Sequence, residues 1–177
     1  MGISIFLSYP KPFTRNQEDF VLSLSEHLKS RGYDPRTLGV TDYDVDAPLK
    51  AIRRLMLESN GIITIAFRRA LIIQGNVKPE TDNTYAIDNS WLTSAWSHIE
   101  PAMAFQIGIP VLIIREKGVI EDGILEKGVL GTYMPEFDLK NSYKEYLQSS
   151  EWNQLIRKWE NQVGKVVETK GNPPKLY

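Results

Sequence analysis

Cysteine is absent from this 177-residue chain, which excludes disulfides, thiolate metal sites and a cysteine nucleophile at once. Histidine is almost absent: His27 and His98 are the only two. They fall on different expected helices and at no zinc-ligand spacing, so no metal site is expected. Net charge is missing as well. With 21 basic against 22 acidic residues and no basic run, the chain has no electrostatic basis for binding nucleic acid. No apolar run approaches the roughly 20 residues that span a bilayer. Met1 leads into a strand-like run and not into a signal peptide, so the expectation is a cytoplasmic protein with no membrane partner. Glycine-rich phosphate loops of the dinucleotide or Walker type are lacking. Gly2 is not a myristoylation site, because Phe6 stands where that motif wants Ser or Thr.

What is present is a globular composition, 42% hydrophobic and 24% charged, of a size that buries a core without staples. A single domain over 1–170 and a tail over 171–177 are expected. Ile3 to Tyr9 is rich in β-formers and is stopped by Pro10 and Pro12, which predicts a strand buried on both faces. Thr14 or Asn16 can cap a helix whose Phe20, Val21, Leu24 and Leu28 recur at helical spacing before Gly32. Tyr33 to Leu38 predicts a second strand. After it an acidic loop, Asp42 to Asp46, leads to Pro48 in the first turn of a helix. Ile62-Ile-Thr-Ile-Ala-Phe67 predicts a central parallel strand. Residues 68–89 are expected to form a long irregular connection, and Asn89 or Ser90 to cap the next helix. The strand Val111–Ile114, an edge strand over Thr132–Phe137 and a helix from about Tyr143 to Val163 complete the chain, with Trp152 and Trp159 in its apolar stripe.

Five strands alternating with helices define an α/β fold: an open, doubly wound, parallel five-stranded sheet with helices on both faces, flavodoxin-like in arrangement. Ligands in such sheets bind beyond the carboxyl ends of the strands. Ser8, Tyr9 and the helix after the long connection should converge there.

On that helix Trp96 and Glu100 are four residues apart, so an aromatic plate and a carboxylate share one face. A Trp at this spacing is commonly core and a Glu commonly solvated. Together they can also stack a flat heterocycle and meet positive charge developing at an anomeric carbon. Glu100 is expected at the cleft edge. Pro101 cannot donate to the carbonyl of Ser97, so the helix should bend or restart beside Glu100. Ser94 and His98 are also four apart, but no oxyanion loop or orienting acid accompanies them, and they read as helix-surface residues.

The chain resembles a TIR domain over residues 1 to 165. Ile5-Phe-Leu-Ser-Tyr9 is similar to that family's first strand, and Val40 to Pro48 stands in the place of its BB loop. Ser94-x-Trp96-x-x-x-Glu100 matches its Ser-x-Trp-x-x-x-Glu segment, and Gly108-Ile-Pro110-Val-Leu-Ile-Ile114 its fourth strand. Departures are Ser97, where the family often has Cys, and Pro101. The small size and long pre-helix loop are similar to microbial standalone members of the Thoeris antiphage type.

The resemblance implies an NAD+ glycohydrolase or cyclase with no cofactor beyond its substrate. Glu100 takes the catalytic place, and Ser8, Tyr9, Lys11 and Trp96 contact the substrate. It also implies self-association through TIR surfaces, with the Asp42–Asp46 loop as a contact, and an effector reached by a nucleotide signal such as a cyclic ADP-ribose. Two alternatives stand beside it. One is a non-enzymatic adaptor acting by self-association; the other is a nucleoside deoxyribosyltransferase-like enzyme whose glutamate attacks the N-glycosidic carbon.

Overall fold

Each of the five expected strands is present, and all five lie side by side in one sheet. The computed structural model describes residues 2–131, 133–140 and 143–169; the expected tail at 171–177 lies outside the described residues. In chain order the elements are β1 (Ile3–Ser8), α1 (Arg15–Ser30), β2 (Tyr33–Arg36), α2 (Pro48–Leu57), β3 (Ile62–Ala66), β4 (Ala70–Val77) and β5 (Tyr85–Leu92). They continue with α3 (Trp96–Ile107), β6 (Val111–Glu116), a short 3-10 turn at Gly123–Leu125, β7 (Glu136–Phe137), α4 (Tyr143–Gln148) and α5 (Ser150–Glu168). The main sheet has the order β2-β1-β3-β6-β7, and every pair in it is parallel. This is the doubly wound, flavodoxin-like arrangement.

Period-two alternation divides the strands between two cores. Ile5, Leu7, Ile63, Ile65 and Ile114 face α1 and α5, where they meet Phe20, Leu24, Trp152 and Trp159. Phe6 and Ile62 face the opposite way, against Ile52, Leu55 and Met56 of α2 and Ala104 of α3. Both tryptophans of α5 are therefore core residues whose indole N–H groups are satisfied. Trp159 Nε1 donates to the Pro110 carbonyl at 3.2 Å, and Trp152 Nε1 donates to His27 Nε2 at 3.1 Å.

Helix starts follow their local chemistry. Thr14 Oγ1 accepts from the Gln17 N–H at 3.2 Å, and Pro48 occupies the first helical position of α2. The single C-terminal helix expected from Tyr143 is two, because Ser149 caps a new start by accepting from the Trp152 N–H at 3.1 Å. The last strand is shorter than expected, Glu136–Phe137; Pro135 precedes it and offers its carbonyl, not an N–H, to Arg115 at 2.9 Å.

The expectation of an irregular connection over 68–89 is overturned. β4 and β5 form an antiparallel hairpin in which Leu71 pairs with Trp91, Gly75 with Ile87 and Val77 with Tyr85. The β-formers around Ile72, Ile73 and Ile87 pair across a turn in which Lys78 and Glu80 take φ of 51° and 62°. Because no helix among the described residues covers this two-stranded sheet, polar and apolar residues are mixed on it, and Ile73 and Tyr85 stay exposed. The alternation that marks a half-buried strand is thus weak. The strand also extends through Asn89 and Ser90 to Leu92, so neither residue caps the next helix.

Where α5 crosses the start of β3, Gly61 leaves no room for a side chain. A Cβ there would lie 2.8 Å from Val163 Cγ2 and 2.9 Å from Trp159 Cζ2. Gly61→Ala should destabilise the fold by roughly 1–3 kcal/mol, read from urea unfolding midpoints at unchanged slope.

Candidate functional site

From β1 the chain crosses to one side of the sheet to form β2, and from β3 it crosses to the other to form β6. The crevice of a doubly wound sheet opens outside the carboxyl ends of such a strand pair. Ser8, the last residue of β1, lies there, with Thr64 of β3 as its register partner.

Ser8 Oγ donates a short hydrogen bond to Glu100 Oε2. Glu100 is not at a cleft edge as expected: it is only 9% exposed, on the face of α3 that also buries Ser97, Pro101 and Ala104. Burial pushes its carboxyl from an ordinary 4.5 up to about 7, against the opposing pull of the Ser8 hydrogen bond. The donor is a neutral hydroxyl, so the carboxylate is not neutralised by that partner and can still attract positive charge elsewhere.

The helix does not restart at Pro101. α3 runs through it from Trp96 to Ile107 and is closed by Gly108 at φ 78°. Pro101 is the sixth residue of α3, and the one helical bond it removes is that to the Ser97 carbonyl. Ser97, His98 and Ile99 donate to the carbonyls of Ser94 and Ala95, and Ser94 Oγ accepts from the Trp96 N–H at 3.3 Å.

The other candidate residues divide. Trp96, one turn before Glu100, is 39% exposed. Tyr9 does not share a cleft with Glu100. It turns to the opposite face of the sheet and packs on the α1 side, because it follows Ser8 in an extended chain and side chains there alternate. It lines a groove of about 570 Å³ with Lys11, Val21, Leu38 and Val40. The Tyr9 hydroxyl has a hydrogen bond with Thr37, and burial raises its pKa. Lys11 therefore belongs with Tyr9 and not with Glu100.

The acidic loop offered as a contact is paired within the chain. Asp42 meets Arg36, and Asp44 and Asp46 meet Arg54, so what this loop presents outward is Tyr43 and Val45.

A buried polar cluster braces the same carboxyl edge, and only the structure reveals it. Gln17 Nε2 donates to Glu116 Oε2 at 3.1 Å, and the Arg68 N–H donates to the same oxygen at 2.9 Å. The Arg68 guanidinium lies 5.6 Å from the Trp91 ring. α1, the end of β6 and the foot of the hairpin are thereby tied together. Among the described residues no group of three His, Asp or Glu side chains could hold a metal ion, and no helix is long and apolar enough to cross a membrane.

No family model matches the sequence, and no curated protein matches it. Solved structures similar to the fold include the CMP N-glycosidase BcmB of Clostridium botulinum, at 16% identity and TM-score 0.49, covering 82% of this chain and 94% of that one. The TIR domains of the activated Roq1 resistosome are similar at 13% identity and TM-score 0.45, covering 96% and 86%. The flavoenzyme FerB of Paracoccus denitrificans is similar at 9% identity and TM-score 0.35, covering 94% and 95%. At identities this low the likeness concerns the fold, and the site must be read from its own residues.

The raised pKa of Glu100 fixes a sign. The folded form holds its proton up to about 7, the unfolded form only to about 4.5. Stability is therefore unaffected by this group at pH below 4.5, falls between 4.5 and 7, and stays lower above 7. At about 1.4 kcal/mol per pKa unit, the cost is roughly 3 kcal/mol. Glu100→Gln removes the titration. Urea unfolding of both proteins should show the mutant gaining roughly 2–3 kcal/mol on wild type between pH 5 and pH 8. Parallel pH profiles would place Glu100 in water.

Proposed function

We propose that this chain cleaves the N-glycosidic bond of a ribosylated nucleotide, with NAD+ as substrate and Glu100 as the catalytic carboxylate. The observation that supports this reading is a carboxyl group buried beside the carboxyl end of β1 whose hydrogen-bond donor, Ser8, is uncharged. A carboxylate tied to Arg or Lys has its field already spent. One held by a hydroxyl in a low-dielectric setting gains most when a cation develops next to it.

Nicotinamide in NAD+ is a cationic leaving group. The bond from the ribose carbon to nitrogen breaks with its electron pair going to nicotinamide, which departs neutral and leaves oxocarbenium character on the sugar. Glu100 stabilises that charge more than it stabilises the ground state, which is the differential binding that catalysis requires. Water then adds to the carbon and loses a proton, to Glu100 and on to solvent, giving ADP-ribose. Attack by a group of the same nucleotide gives a cyclic ADP-ribose-type product instead. Trp96 stacks a base. Such a product suits the antiphage signalling role of the Thoeris type, in the cytoplasm, with an effector that reads it and with self-association of this chain to complete or trigger the site.

A second reading has its own observation. A carboxyl with a pKa of about 7 is partly protonated at neutral pH, which suits a substrate with a neutral base that needs a proton in order to leave. CMP, the substrate named for the Clostridium botulinum enzyme, represents that class.

Purified protein incubated separately with NAD+ and CMP should release nicotinamide from the first, followed by chromatography. Release of cytosine alone selects the second reading, and turnover of neither selects the non-enzymatic adaptor. On NAD+, Glu100→Gln should lose about a hundredfold to a thousandfold in kcat/KM, equivalent to ~3–4 kcal/mol of transition-state stabilisation. Wild-type kcat/KM should rise with pH to a plateau, with a midpoint near 7 set by ionisation of Glu100. Near-wild-type turnover by the mutant would remove Glu100 from the mechanism.

A further inference from the structure

Thr64 is the one hydroxyl in the apolar run of β3, and it is fully buried with no hydrogen-bond partner for its Oγ1. A buried polar atom without a partner is uncommon enough to need a cause. Its location supplies one. Ile62 packs in the core beneath α2 and α3 and Ala66 lies on the same side of the sheet, so Thr64, between them at strand period, faces α3 as well. Thr64 and Ser8 are register partners on neighbouring parallel strands, which sets their side chains roughly 5 Å apart.

The helix is aligned to match. Ala104 of α3 shares one core cluster with Ile62. Going back one turn from Ala104 to Glu100 covers about 6 Å, and going forward from Ile62 to Thr64 covers about 6.6 Å. Because α3 returns antiparallel to β3 in this crossover, both steps lead to the same level, where Ser8 already holds Glu100.

An ionised carboxylate has about four lone-pair sites, and Ser8 fills one of them. Pro101 leaves the carbonyl of Ser97, on the same buried face of α3, without its helical donor. We propose that Thr64 is a positioning residue of this site: its hydroxyl, acting across one bound water, gives the ionised Glu100 carboxylate a second hydrogen bond beside that of Ser8. The Thr64 hydroxyl, the Glu100 carboxylate and the Ser97 carbonyl make up the two to four polar partners that a buried water needs. The proposal rests on Glu100 working in its ionised form, as in the function proposed above. It names what makes that form attainable in a buried setting.

On the elements packed against α3, the charged groups are turned to other partners. β1 and β3 carry none. Arg115 of β6 is tied to Glu121 and Glu136, and Glu116 to Gln17 and Arg68. On α2, Arg54 pairs with Asp44 and Asp46, while Lys50 and Arg53 are exposed. His98 of α3 itself lies beside Gly123.

The test is a carbon-detected NMR titration of the Glu100 carboxyl in the full chain, for wild type, Thr64→Val, Thr64→Ala and Thr64→Ser. Val keeps the shape and Ala the backbone; both lack the hydroxyl, and Ser restores it. The midpoint should rise by about one pH unit in Val and Ala and stay near wild type in Ser. At pH 5, where the Glu100 carboxyl is protonated, the melting temperature of Thr64→Val should stay near wild type, because the hydroxyl then has no charged partner to lose. An unchanged midpoint in Val and Ala, or an equal rise in Ser, overturns the proposal. Nucleotide turnover is measured in parallel: a shifted midpoint without NAD+ or CMP cleavage by wild type leaves the positioning role standing and removes the function, whereas cleavage with an unshifted midpoint does the reverse.

Discussion

A carboxyl group withdrawn from water and given one uncharged donor sets conflicting demands on its surroundings. For the function proposed above, Glu100 must be held tightly enough to stay buried, yet not neutralised by a cation, so that it can respond to charge arising next to it. The fold meets both demands with backbone geometry. Ser8 is fixed by its place at the end of β1, α3 by its packing on β3 and β6, and the carboxyl by the hydrogen bond between them. The energetic burden is the raised pKa, the kind of local cost that functional sites carry and a well-packed remainder offsets.

That remainder is the two-sided sheet. On the α1 and α5 side, large aromatics fill the core, with Phe20 stacked on Phe137 at 4.3 Å between ring centroids and Trp152 fully buried. On the α2 and α3 side, Phe6, Ile62, Leu55 and Met56 fill the core, and beside them stand the small buried residues Ser8, Thr64, Ser97 and Ala104. It is among these small residues that Glu100 reaches Ser8.

Much of this was legible in the residues. Continuous apolar runs at Ile3–Tyr9 and Ile62–Phe67 announced strands covered on both faces, and their alternation with helical spacing gave the topology, because parallel strands admit few crossovers. Ser8 and Glu100, 92 positions apart, were each visible as candidates, and the sheet-edge rule placed them at one edge. The face of the sheet was harder to read at strand ends. Tyr9 follows Ser8 by one residue, and one residue in an extended chain is the difference between the α3 side and the α1 side. The hairpin was missed for a different reason: strands with neither face covered carry no burial pattern, and the polar residues that cluster around Thr81 to Thr84 look the same in a long loop and in a hairpin turn. Thr64 did leave a mark, as the only polar residue in its run, but a lone threonine is ordinary in strands and becomes informative once its neighbours across the sheet are known.

The hairpin leaves and rejoins the fold at nearly one point. The Arg69 N–H donates to the Leu92 carbonyl at 2.8 Å, and the segment 118–120 holds Trp91 by two bonds, its N–H donating to Gly118 and its carbonyl accepting from Ile120. Beyond that clasp, the strands run outward with little burial. Their length is thus uncoupled from the register of β3, α3 and β6, and the entropic penalty of altering a closed excursion grows only logarithmically with its size. Arms longer, shorter or differently decorated can be exchanged beyond the Leu71–Trp91 pair while the ground plan stays fixed, which makes the outer hairpin the natural place for sequences sharing the fold to diverge.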